Sequence, residues 1–188
     1  KRRGVAGMVY AFKAAGAAAE RMMSLEEVAG VAQKALDNIR TMGVALSPCI
    51  VPQVGEPTFQ IEDDEIEIGM GIHGEKGIEV RKMMTADEVA ETLVGRITED
   101  MPLAEGDEVS VLVNGLGATP MEEQLIVYRR VHELLNDMGV KVVMPHVGEY
   151  ATSMEMAGLS VTIFKLDEQL KELLLSPAKT PFYTNLNK

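Results

Sequence analysis

The chain has 188 residues, a formal charge of −11, 46% hydrophobic residues, one cysteine, four tyrosines, four phenylalanines and no tryptophan. That length supports one domain with a real core, or at most two small ones. The acidic balance and scarce aromatic rings exclude a surface built for phosphates or stacked bases, so no nucleic-acid partner is expected. No apolar run approaches the ~20 residues that cross a bilayer, and Cys49, alone, fits a reducing compartment; a cytoplasmic protein without membrane contact is the expectation.

Residues 5–23 read as an Ala-rich helix with Val5, Met8, Val9, Phe12 and Ala15 or Gly16 along one face. Lys1-Arg2-Arg3 ahead of the Ala-rich stretch is not expected to be a signal peptide, because Glu20 and Arg21 continue the helical register. Ser24 with Glu27 is a capping-box signature for a second helix. Its expected inward face is Leu25, Val28, Val31, Ala32, Ala35, Leu36 and Ile39, and its expected stop is Gly43. Residues 44–51 read as a buried strand holding Cys49 as a structural thiol, and residues 58–61 with 65–72 as a hairpin. The acidic run 62–67 lacks the ligand spacing of a hard-cation loop and reads as a solvated turn and an exposed strand face.

Thr85, with Asp87 and Glu88 behind it, starts a helix to about Thr98. Val109, Val111 and Val113 share one face of a strand that enters Asn114-Gly115-Leu116-Gly117-Ala118-Thr119-Pro120, and a long helix then runs to Met138 with Gly139 at its end. That glycine loop has neither dinucleotide nor Walker spacing. It either helps to shape a site or is a tight strand-to-helix connection. Further strands are expected at 140–143 and 159–166, a short helix at 167–175 and an irregular tail. His132 reads as a surface or boundary residue, and the three histidines lack the spacing of a zinc site. Together these elements predict an α/β fold with helices packed on a mixed sheet.

One stretch, residues 65–77, stands apart. Ile66, Ile68, Met70 and Ile72 alternate along one face, and Glu65, Glu67, Gly69, Gly71 and His73 along the other. Gly69 and Gly71 keep the face of His73 free of side chains, and Gly74 and Gly77 permit a sharp turn after it. Parity alone leaves open a turn or core histidine, a base, a nucleophile or a metal ligand.

The run Gly69-Met70-Gly71-Ile72-His73-Gly74-Glu75-x-Gly77 resembles the substrate-histidine motif of dihydroxyacetone (glycerone) kinases, in their dihydroxyacetone-binding subunit or domain. Asn114 to Pro120 and Thr152-Ser153-Met154-Glu155-Met156-Ala157-Gly158 agree in order and spacing, as do Arg2-Arg3-Gly4-Val5-Ala6-Gly7 and Ser176-Pro177-Ala178-Lys179-Thr180-Pro181. The family often has proline where this chain has Lys76, which bears on the stiffness of the turn and not on the histidine.

The resemblance implies that residues 1–188 form one α/β domain, the C-terminal half of such a subunit, with the N-terminal half absent from this chain. It implies that His73 adds through Nε2 to the ketone as a covalent hemiaminal, with Gly71 and Gly74 beside the substrate and no metal ligand. An imidazole must be neutral to attack, so capture should weaken below about pH 6.5. No cofactor is expected in this chain. The general base belongs to the missing half, and the phosphoryl donor (ATP with Mg, or a phosphoprotein) to a separate nucleotide-binding L-type domain or subunit. A homodimer in glycerol metabolism, inactive as an isolated segment, completes that picture. The alternatives are a dihydroxyacetone-binding transcriptional co-activator without kinase activity, and a structural or lipid-binding domain in which His73 is incidental.

Overall fold

A computed structural model describes residues 5–72, 75–181 and 183–186. Six strands form one mixed sheet: β1 (Ile39–Ala45), β2 (Glu65–Ile68), β3 (Glu79–Lys82), β4 (Glu108–Gly115), β5 (Lys141–Gly148) and β6 (Gly158–Leu166). Their order across the sheet is β3-β2-β1-β6-β4-β5. Only β4 and β5 pair in parallel; the other neighbours are antiparallel. The expected α/β architecture, helices on a mixed sheet, is the one observed.

Both faces of the central strands are buried, because helices cover each side. Val109, Val111 and Val113 of β4 and Leu159, Val161 and Ile163 of β6 pack beneath α3 (Ala86–Asp100) and α4 (Met121–Asp137). Leu112, Phe164 and Leu166 face the other way, beneath α1 (Met8–Glu20) and α5 (Glu168–Leu175), with α2 (Leu25–Asp37) packed on α1. Ser24, Thr85 and Asp167 each receive a backbone N–H at a helix start. Thr85 and Glu88 complete a reciprocal box, with the Thr85 N–H donating to Glu88 Oε2 at 2.8 Å. Thr85→Ala is expected to lower stability by about 1 kcal/mol, read as a shifted urea midpoint with unchanged slope.

Several elements differ from the sequence expectations. The first helix begins at Met8 after a 3-10 turn at Val5–Gly7, and its buried face is Tyr10, Ala11, Ala14, Ala17 and Ala18, while Phe12 is 70% exposed. Alanines carry the contact because a small-residue face lets the helix sit close to its neighbours, a preference that large-residue periodicity misses. In α2, Leu25 (79% exposed) and Leu36 face outward and only Val31 and Ala35 are fully buried. That helix ends at Asn38, whose Nδ2 donates to Lys34 O at 2.9 Å, so Ile39 and Gly43 belong to β1. Gly43 lies within the strand, where the Met70 thioether packs over it. The expected strand at 44–51 is accordingly the end of β1 plus a loop, and the expected hairpin partner at 58–61 is not a strand; β2 pairs with β1 and β3 instead. In the tail, Ala178–Lys179 (β7) and Thr184–Asn185 (β8) pair as a small ribbon.

Candidate functional site

At the carboxyl ends of β1 and β4, the crevice position where open α/β sheets hold their ligands, the three sequence blocks meet. Asn114, the last residue but one of β4, has a fully buried side chain. Its Oδ1 accepts from the N–H groups of Tyr150 (2.7 Å) and Ala151 (2.9 Å), and its Nδ2 donates to Gly115 O (2.8 Å) and Ala151 O (2.7 Å). All four hydrogen-bonding positions of the amide are used. The loop beyond it is tied to residues 152–158: Ser153 N donates to Leu116 O at 2.7 Å, Ala118 N to Met156 O at 3.1 Å, and the Thr119 hydroxyl donates to Gly158 O and accepts from Gly158 N. Leu116, Met156, Ala45, Cys49 and Met70 fill the space beneath as a small apolar cluster.

The described segments on either side of residues 73–74, Gly69–Ile72 and Glu75–Ile78, hang on this node. Gly69 takes φ +79°, which turns the chain out of the strand. Ile66 and Ile68 therefore stay under α3, whereas Met70 joins the cluster around Cys49, and Ile72 packs between that cluster and the α1 layer. The alternation expected through Ile72 stops at Ile68. Gly71 N donates to Glu75 O at 2.9 Å, closing the loop at its base. The outgoing arm is fixed by Ile78 N donating to Ile68 O (2.8 Å) and Gly77 N to Glu67 Oε1 (2.5 Å). On the incoming arm, the Ser153 hydroxyl donates to Ile72 O at 2.6 Å. A pinned stem thus exists with lysine, not proline, at position 76. His73 and Gly74 themselves lie outside the described residues.

Within the loop the two preceding glycines also have a packing reason. A Cβ on Gly71 would fall 1.9 Å from Glu75 Oε2, and one on Gly69 would lie 3.0 Å from the Ile78 side chain. Both glycines make room for neighbouring side chains of the loop itself. Glu67, expected on a solvated face, is buried and serves as the anchor for Gly77. Ser153 carries no chemical signature in sequence, and its partner is 81 positions away. The glycine loop after β4 has no open cradle for phosphate: Met154 O occupies the space beside Gly117, and Gln124 and Glu149 that beside Gly115. Among the described residues no three His, Cys, Asp or Glu side chains converge as a metal site, and no helix is long and apolar enough to cross a membrane. A cleft of about 690 Å³ flanks the outgoing arm, lined in part by Thr41, Met70, Lys76, Ile78 and Arg96.

A second polar cluster lies in the α1 layer. Tyr10 OH is 2.7 Å from Ser110 Oγ and 3.3 Å from His146 Nδ1, and His146 Nε2 is 3.2 Å from Tyr183 OH. The Tyr10, Tyr150 and Tyr183 rings surround the imidazole. Burial, and then the Lys13 charge, pull its pKa down to about 4. The folded state therefore keeps this histidine neutral while the unfolded chain, titrating near 6.5, takes up a proton. Stability is expected to be intact above pH 6.5 and to fall by about 1.4 kcal/mol per unit as pH drops from there toward 4. Urea titrations across that range on wild type and His146→Gln check it: the variant should show a shallower acid slope.

The Dak1 domain family matches residues 1–182. The chain is 52% identical over 180 residues to the dihydroxyacetone-binding subunit DhaK of PTS-dependent dihydroxyacetone kinase 1 from Listeria innocua, covering 95% of this chain and 55% of that protein. It is 46% identical over 187 residues to an L-erythrulose kinase of Pectobacterium atrosepticum, covering 97% of this chain and 32% of that one. Among solved structures, the dihydroxyacetone kinase operon co-activator Dha-DhaQ superposes with a TM-score of 0.86 at 33% identity, over 93% of this chain and 55% of that one. The chain therefore spans about half the length of the DhaK-type relative and a third of the longer kinase. With a family match over nearly its whole length, this chain belongs to the Dak1 domain family.

Proposed function

We propose that this chain is the ketose-capturing part of a dihydroxyacetone kinase, in which His73 binds the substrate covalently. The observation that supports it best is the convergence described above: blocks separated by up to about eighty positions meet in one hydrogen-bonded node that ends on the peptide leading into His73. Dihydroxyacetone and glycerol offer the same terminal hydroxyls, so hydrogen bonds separate them poorly. A neutral imidazole separates them by reaction. The Nε2 lone pair forms a bond to the carbonyl carbon, the C=O π pair moves to oxygen and is protonated there, and the Nδ1 proton is released. Glycerol has no carbonyl and cannot follow. The substrate class is a short ketose, dihydroxyacetone or a four-carbon homologue such as erythrulose.

Phosphoryl transfer then needs a base and a donor. In this reading the base comes from the N-terminal half of the subunit. The donor, ATP with Mg or a phosphoprotein, is held by an L-type domain or subunit, and the assembly is a cytoplasmic homodimer. The likeness to the operon co-activator favours one second reading, a ketose-binding regulator that captures without phosphorylating. Carbon-13 NMR of [2-¹³C]dihydroxyacetone with the protein tests the capture step. The labelled carbon is expected to move from the ketone to the tetrahedral region, and less so as pH falls below about 6.5. A bound signal that stays a ketone, or capture equal at pH 5 and pH 8, would sink it. A coupled assay for dihydroxyacetone phosphate with the donor component present separates kinase from regulator.

A further inference from the structure

We infer that Ser153 is a positioning residue for the histidine loop, acting through the carbonyl of Ile72; this rests on the role of His73 proposed above. The Ile72 oxygen belongs to the amide joining Ile72 to His73. An amide is planar and rigid, so a hydrogen bond that holds its oxygen restrains the peptide through which the chain enters residue 73. The Ser153 hydroxyl does this at 2.6 Å, a short distance for an O–H···O bond.

The hydroxyl has one proton, and the carbonyl can only accept, so that proton is committed to Ile72 O. Cys49 Sγ, 3.5 Å from Ser153 Oγ and also 3.5 Å from Thr58 Oγ1, packs against the other side of the hydroxyl. Ser153 is itself held from below: its N–H donates to Leu116 O and its carbonyl accepts from Met156 N. The Ser153 side chain is buried, which shields the donor from solvent. The hydroxyl is thus delivered by a platform built from the loop after β4, and its short hydrogen bond goes to the carbonyl of the residue ahead of His73. Serine at this position is a chemical requirement of the loop and not a solvated loop residue, and the same platform explains why a glycine loop without a phosphate cradle lies at this end of the sheet. A near-attack geometry demands atomic placement within a fraction of an ångström, and one directed hydrogen bond to the adjoining peptide supplies such a constraint.

The test is the equilibrium constant for tetrahedral adduct formation with [2-¹³C]dihydroxyacetone. It is measured on the protein with any segments it carries outside residues 1–188 retained, alongside a urea unfolding curve. Ser153→Ala is expected to weaken capture about tenfold, with the pH midpoint of capture unchanged because the nucleophile is untouched. Ser153→Cys, which keeps a weak donor, should fall between the two, and it decides alone if the alanine variant does not fold. A role confined to stability would shift the urea midpoint and leave the adduct constant of the folded protein at its wild-type value, and that result overturns the inference. His73→Ala separates the two levels. Loss of capture in that variant beside wild-type capture in both Ser153 variants refutes only the positioning role, whereas undiminished capture in His73→Ala, or none in wild type, refutes the reading beneath it.

Discussion

Gly117→Ala is expected to destabilise the protein by on the order of 4 kcal/mol, or to prevent its folding outright. Two costs add at this position. Its φ of +128° lies where side chains are scarcely tolerated, a strain of roughly 1–3 kcal/mol. A Cβ would also stand 1.8 Å from Met154 O, a main-chain atom with little freedom to retreat. Leu116 O on one side and Ala118 N on the other are tied to Ser153 and Met156, so shifting the Met154 peptide means breaking those bonds, for roughly another 1–3 kcal/mol. Chemical denaturation of the soluble variant, or its absence from the soluble fraction, reads the effect. A midpoint within experimental error of wild type would show that the two loops are not rigidly coupled, and would remove the platform on which Ser153 stands.

That coupling was only half legible in the sequence. Elements whose signals are local could be read directly: the Thr85 capping box, the alternating valines of β4, the stop at Gly139 and the alternation of β6 all depend on neighbours within a few residues. What failed depended on partners far along the chain. Gly43 is a reasonable helix stop until β6, more than a hundred positions later, pairs with every residue of β1. The apolar stripe of α1 misleads because the helix is packed by its alanines, and Leu25 and Leu36 because α2 covers α1 rather than the sheet. Glu67 is one carboxylate in an acidic run by sequence. It becomes a buried acceptor only because Gly77 returns beside it. Ser153 is the extreme case, a single hydroxyl whose meaning lies wholly in the carbonyl it meets.

His73 is the converse of Gly117, and His73→Ala is expected to abolish ketose capture while moving the unfolding free energy by no more than about 0.5 kcal/mol. The stem of its loop is held by the main chain of Gly71, Ile78 and Gly77, by the Glu67 carboxylate and by the Ser153 hydroxyl, none of which the imidazole provides. His73→Asn sharpens the experiment. A carboxamide can hydrogen-bond to a ketone as an imidazole can, but its nitrogen is not a nucleophile. If discrimination comes from bond formation, the asparagine variant should bind dihydroxyacetone and glycerol with similar weak affinity, and the wild-type preference for the ketone should collapse toward unity. Calorimetric titration of both ligands against both variants measures that ratio directly. A preference that survives in His73→Asn would mean that the site recognises the carbonyl by hydrogen bonding, and the covalent reading would have to be abandoned while the fold and the family stand.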